Sequence, residues 1–213
     1  MEGLCVDGPT DPTGRWAAKD HLAHLAWWRD RNARLVEAVR TGKEPPPRVE
    51  DDTQNAIIYE EYRDRPAAEI VAMARGSWER LGAAIDACSD DDLMRPHPHG
   101  RERQLTDSGV ADAGHLGIHL MFWYLESGDE TSAEAAMRWA YELEIAAAVD
   151  PKAPAYASYN LACFFGRVGR AGPAAPLLRA SFAGAPELLE LARKDPDLDP
   201  IRSDPEVASL LSG

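Results

Sequence analysis

Apolar residues in this chain recur every three or four positions, and nowhere do they alternate with polar ones over the span a half-buried strand needs. That pattern restricts the chain to an all-α fold. Over residues 16–40, Leu22, Leu25, Trp28, Leu35 and Val39 approximate one 3.6-residue stripe, and Thr41-Gly42 with the Pro45-Pro46-Pro47 run ends it. The acidic turn at 50–53 leads into a short helix or turn through Ile57, Ile58 and Tyr62. Pro66 suits the first position of a helix running from about 67 to 88, with Ile70, Met73, Trp78, Leu81 and Ile85 as its inner face. Residues 95–107, polar and broken by Pro96 and Pro98, read as a loop. A helix over about 108–126 follows and closes at Ser127-Gly128-Asp129.

From residue 130 the texture changes to Ala-rich helices, expected at 132–149, 154–168, 171–184, 186–194 and 203–211. The change predicts two domains, 1–129 and 130–213. Small residues at close intervals, among them Ala162, Gly166, Gly169, Ala174 and Ala175, let paired helices approach closely while larger neighbours fill the gaps. The run Tyr159-Asn160-Leu161-Ala162-Cys163 and the Asp/Pro-rich tail 195–205 resemble a tetratricopeptide (TPR) repeat and its C-terminal cap. The resemblance implies a concave face that takes a protein partner, with Tyr156, Tyr159 and Phe165 as anchors. So short an array also suits packing against the preceding domain, because about three repeats are needed for independent stability.

Charge narrows the function classes. A formal net charge of −13 and a pI near 4.9 repel phosphate backbones, so neither nucleic acid nor an anionic membrane is an expected partner. The three cysteines, Cys5, Cys88 and Cys163, are odd in number and show no CxxC pairing, which favours free thiols in a reducing compartment. The N-terminus lacks a basic flank and apolar run, and no stretch offers the ~20 apolar residues of a membrane span. A cytoplasmic protein is expected.

The chemistry-bearing residues are histidines. His115 and His119 stand four apart in an apolar helical stretch, so their imidazoles share a face with Cβ atoms roughly 5–6 Å apart. His24 lies in a second such stretch, on a helix that can face the first. A lone histidine on an apolar face is commonly a buried, hydrogen-bonded side chain. An i,i+4 pair with a remote third is a metal-ligand pattern, because imidazole suits Zn, Ni and Fe and three ligands leave a coordination position open. Asp20, one turn before His24, reads either as a group orienting an imidazole or as a first-turn carboxylate favoured by the helix dipole. His21 is expected at a flanking surface position. His97 and His99 fall in the polar loop, as solvated side chains or auxiliary ligands. No HExxH, Gly-x-Ser-x-Gly or phosphate-binding Gly loop occurs, and no catalytic residue is assigned.

Trp16, Lys19, Asp20, Ala23, His24, Leu25 and Trp28 resemble the second-helix signature of DinB-like four-helix bundles. Asn55, Tyr59, Tyr62 and Arg63-Asp64-Arg65 resemble the segment that follows it in that family, and His115-x3-His119 its C-terminal ligand pair. The resemblance spans about residues 14–129 and implies an up-and-down helix bundle with His24, His115 and His119 holding a divalent metal. It also implies a small-molecule substrate and, in some members, a low-molecular-weight thiol as co-substrate. The helix that usually precedes the signature has no counterpart in the irregular residues 1–14. Either a C-terminal helix or the second chain of a homodimer is expected to cover the face it leaves, or residues upstream of this sequence do so.

Three functions follow as expectations. The first is a metal-dependent thiol transferase or hydrolase using the histidine triad. The second is a non-enzymatic interaction module using the TPR-like segment. The third is a bundle cavity lined by Trp27, Trp28, Trp78 or Trp123 that sequesters a small molecule without turnover.

Overall fold

The computed structural model describes residues 16–99 and 104–213. Its helices are α1 (Ala18–Thr41), α2 (Asp51–Tyr62), α3 (Ala67–Asp86), α4 (Asp90–Leu93), α5 (Asp107–Glu126), α6 (Glu130–Ala146), α7 (Ala153–Arg167), α8 (Ala171–Gly184), α9 (Leu188–Ala192) and α10 (Pro205–Ser212). A 3-10 turn occupies Pro196–Ile201. No strand forms among the described residues; the sole pairing of that kind is an isolated bridge between Pro96 and Gln104. The fold is all-α. No helix of the described residues is long and apolar enough to cross a membrane.

The chain divides into two compact units, residues 8–116 and 117–213, with the division inside α5. In the first unit α1 packs against α2 and α3, burying Leu25, Leu35, Ile58, Ile70, Ala74 and Leu81. Gly42 ends α1 at φ +67°, a left-handed conformation that glycine adopts without Cβ strain, and Lys43 then donates back to the Ala38 carbonyl at 2.9 Å. The proline run that follows is strapped down: Arg31 donates to the Pro47 carbonyl at 2.5 Å, and His99 Nε2 lies 2.7 Å from that of Pro46. Arg80 of α3 pairs bidentately with Asp30 of α1, at 2.8 and 2.9 Å.

One expected core residue is displaced. Trp78 is 55% exposed, because the buried stripe of α3 runs through Ile70, Ala74, Ser77 and Leu81, and Trp78 falls one position off it. Its ring instead lies under the Arg29 guanidinium, 4.8 Å from the ring centre.

In the second unit α7 is the central helix. Tyr159, Leu161, Ala162, Phe164 and Phe165 are all buried, with α6, α8 and the 3-10 turn packed on it. The approach is close where glycine allows it. A Cβ on Gly166 would sit 2.6 Å from the Asp197 carbonyl oxygen, and one on Gly184 would sit 2.8 Å from Ala155 Cβ. The expected Asp/Pro tail is a wound element rather than a plain end. Asp195 caps the 3-10 turn by accepting from the Asp197 amide at 2.9 Å.

Candidate metal centre

Helix α1 carries His21, His24 and Trp28 at i, i+3 and i+7, one stripe of the helix, and α5 carries His115 and His119 one turn apart. His24 and His119 are 2% and 3% exposed, and His115 is half-buried. The Nε2 atoms of His24 and His115 are 2.8 Å apart, with the rings edge-on at 73°. His119 is fixed to His115 by their shared helix. One ligating atom from each of His24, His115 and His119 lies within 4.8 Å of the other two.

Electrostatics favour neutral imidazoles. Burial holds His24 well below its ordinary value, and the neighbouring His115 and His21 push in the same direction. Burial lowers His115 to about 4, helped by the Arg29 charge, and lowers His21 to about 4 against the opposing pull of Asp20. A neutral imidazole has one protonated nitrogen and one lone pair. Across the 2.8 Å contact one Nε2 therefore donates and the other accepts. With both rings in the Nδ1–H form, two lone pairs would face the same point, and the shared proton would give way to a cation.

The residues around His24 explain the flanking sequence pattern. Trp16 is buried, stacks on Tyr59 with centroids 6.0 Å apart, and meets His24 at 5.4 Å. Trp28 leans on His24 and donates its indole N–H to Asn55 Oδ1 at 3.1 Å. Arg63 lies over Tyr59, and its carbonyl accepts from Lys19. Trp16, Lys19, His24 and Trp28 of one segment thus interlock with Asn55, Tyr59 and Arg63 of the other. Their spacing reflects a helix–helix contact that walls the histidine pair with aromatic rings.

Other expectations separate here. Asp20 accepts from the Ala17 amide at 2.9 Å and pairs with Lys19, so its contacts are those of a helix-start carboxylate. His21 is not at the surface: it is 7% exposed, held edge-on against Trp16, because its position falls on the buried stripe of α1. His97 and His99 are half-buried, and the His99 amide lies 3.2 Å from His97 Nδ1. They form no ligating cluster with the triad. Trp78 and Trp123 are 55% and 36% exposed.

A second group with ligating atoms, Cys163, Asp195 and Asp197, is buried in the 117–213 unit. Its atoms serve the packing there. Asp195 Oδ2 accepts from the Tyr159 hydroxyl at 2.7 Å and from the Cys163 thiol at 3.5 Å, while Asp197 pairs with Arg167. The sequence reading missed this group because its members are spread over 34 residues and only the α7 contact unites them.

Residues 9–123 match a family model described as the DinB superfamily. No curated protein and no solved structure matches the chain.

Proposed function

The chain belongs to the DinB superfamily, and on that premise we propose that it holds a divalent metal through His24, His115 and His119 and acts on a small molecule. The observation that carries the reading is the convergence of three imidazoles, one ligating atom from each within 4.8 Å of the others, in surroundings that keep His24 and His115 neutral. A triad of neutral nitrogen donors suits Zn, Ni or Fe better than the hard cations that prefer oxygen. Two nitrogens bonded at ~2.1 Å to one ion stand roughly 3.0–3.4 Å apart, so the 2.8 Å contact would open by a few tenths of an ångström.

Bound there, such an ion would lower the pKa of a water at its open position to about 7, or bind a thiolate. That chemistry fits a hydrolase, or a transferase using a low-molecular-weight thiol. The chain's own contribution is orientation and exclusion of water: Trp16 and Trp28 pack on the His24 ring, and the Tyr59 stack and the Asn55 bond fix those indoles.

In this reading residues 1–129 form the metal-binding domain and 130–213 a TPR-like segment. An interaction role for that segment would need surface anchors, whereas Tyr159 and Phe165 lie in the core and Tyr156 is tied to Glu187 at 3.0 Å. Metal analysis of full-length protein purified without chelator tests the proposal. One Zn, Ni or Fe per chain is expected, falling to trace in His24→Ala and in His119→Ala. Substoichiometric metal even after reconstitution with each ion, or unchanged content in both variants, overturns it.

A further inference from the structure

A groove of about 620 Å³ runs between α1 and α3, on a face of α1 about 130° round the helix from His24. Its volume lies within the range of small-molecule sites. Trp27 and Tyr62 supply flat apolar walls, Met73 a flexible one, and alanines of both helices leave the space between them. Three arginines and two carboxylates line it, a net positive charge in a chain whose total is −13.

Those charges are not equally engaged. Arg80 and Asp30 satisfy each other through the bidentate pair. Arg34 donates only its Nε, to the Asp30 carbonyl at 3.3 Å, among the described residues. Arg40 carries a buried Nε with no hydrogen-bond partner there. Two guanidinium groups therefore retain donor capacity beside an aromatic-walled space, with Glu37 as the remaining carboxylate of the lining and Asp92 acting on Arg40 from outside it. An anionic ligand would satisfy donors of these guanidinium groups.

We propose that this groove binds a small aromatic monocarboxylate, its carboxylate held by Arg34 and Arg40 and its ring against Trp27 and Tyr62. The single net positive charge favours a monoanion. A phosphate dianion would meet Glu37 and Asp30 with twice the repulsion and offer nothing to the apolar walls. The site shares no residue with the histidine triad, so it stands or falls independently of metal binding.

Isothermal titration of the full chain with 1-naphthoate tests this. Saturable one-to-one binding with a Kd below about 1 mM is expected, with 1-naphthamide and inorganic phosphate at least about tenfold weaker. Arg34→Gln and Arg40→Gln should each weaken naphthoate binding about tenfold. Ala83→Trp, which fills the space, should abolish it, with helicity and metal content unchanged in all three variants. Lack of saturation overturns the proposal, as does equal affinity for the amide or for phosphate, or full affinity in both glutamine variants. Should Ala83→Trp misfold, the glutamine variants decide.

Discussion

Replacing Asp195 by alanine should cost more stability than any other single polar truncation in the 117–213 unit. The carboxylate is 3% exposed and gathers three donors: the Tyr159 hydroxyl at 2.7 Å, the Cys163 thiol at 3.5 Å and the Asp197 amide at 2.9 Å. Removing it deletes a hydrogen bond to a charged acceptor, about 1.5–3 kcal/mol, and takes this acceptor from the buried Tyr159 hydroxyl. It also removes the cap of the 3-10 turn, about 1 kcal/mol more. The expected loss is about 3–5 kcal/mol, a large fraction of the 5–15 kcal/mol of a typical domain. Tyr159→Phe removes one donor and leaves the cap, so about 1.5–3 kcal/mol is expected. Because the two changes share one contact, the double variant should fall short of their sum by about 1–2 kcal/mol. Urea denaturation followed by circular dichroism measures all three. A loss below about 0.5 kcal/mol for Asp195→Ala, or simple additivity of the pair, would show that the cluster does not hold the C-terminal segment on α7.

Gly166→Ala should destabilise by about 1–3 kcal/mol, since its Cβ would meet backbone at 2.6 Å, whereas Gly82→Ala, with nothing within 4 Å and a helix-interior position, should stabilise by about 0.5–1 kcal/mol; equal Tm shifts in the two variants would contradict the packing described. Burial raises the Glu144 carboxyl to about 7 from the ordinary 4.5, so the folded chain keeps a proton that the unfolded chain has lost between those values. That stability is complete below pH 4.5 and is lost as pH rises through 7. Glu144→Gln should therefore match the parent at pH 4.5 and exceed it at pH 8 by about 1–3 kcal/mol, the lower end reflecting its partial exposure; a pH-independent difference in urea midpoints would refute this. If the triad binds metal, saturating Zn at about 100 times its Kd should stabilise the chain by about 2.7 kcal/mol in a thermal melt, and His119→Ala should erase that gain.

The helices were legible because each carries its own stripe and stop: Leu25 and Leu35 on α1 before Gly42, Ile70 and Leu81 on α3 after Pro66. The three histidines were legible because i,i+4 spacing is a local fact of α5, and because the segment around His24 carries a family pattern. What escaped reading depends on how each helix is turned about its axis, about 100° per residue. Trp78 and Ser77 exchange inside for outside through one residue's rotation, and His21 turns inward through the same kind of offset on α1. Long-range pairings escaped for another reason. Trp16 on Tyr59, and Tyr159 on Asp195, join residues 43 and 36 positions apart, and no periodicity encodes which helix face meets which.

The same contrast bears on where function resides. A buried imidazole that served packing alone would need only one acceptor or donor, and a single apolar residue of similar volume would fill its place at lower desolvation cost. Two histidine nitrogens brought to 2.8 Å, with a third imidazole one turn further along α5, concentrate that cost at one point. Nothing comparable holds at Asp195, where each short contact joins a donor to an acceptor and the sum is a well-fastened helix pair. Ring nitrogens that share one proton, with a third imidazole beside them, would gain by exchanging that proton for a cation on their lone pairs, whereas the donors gathered on Asp195 leave its carboxylate complete. On that ground we propose the chemistry for the histidines of α1 and α5, while the buried acids of the C-terminal unit serve its architecture.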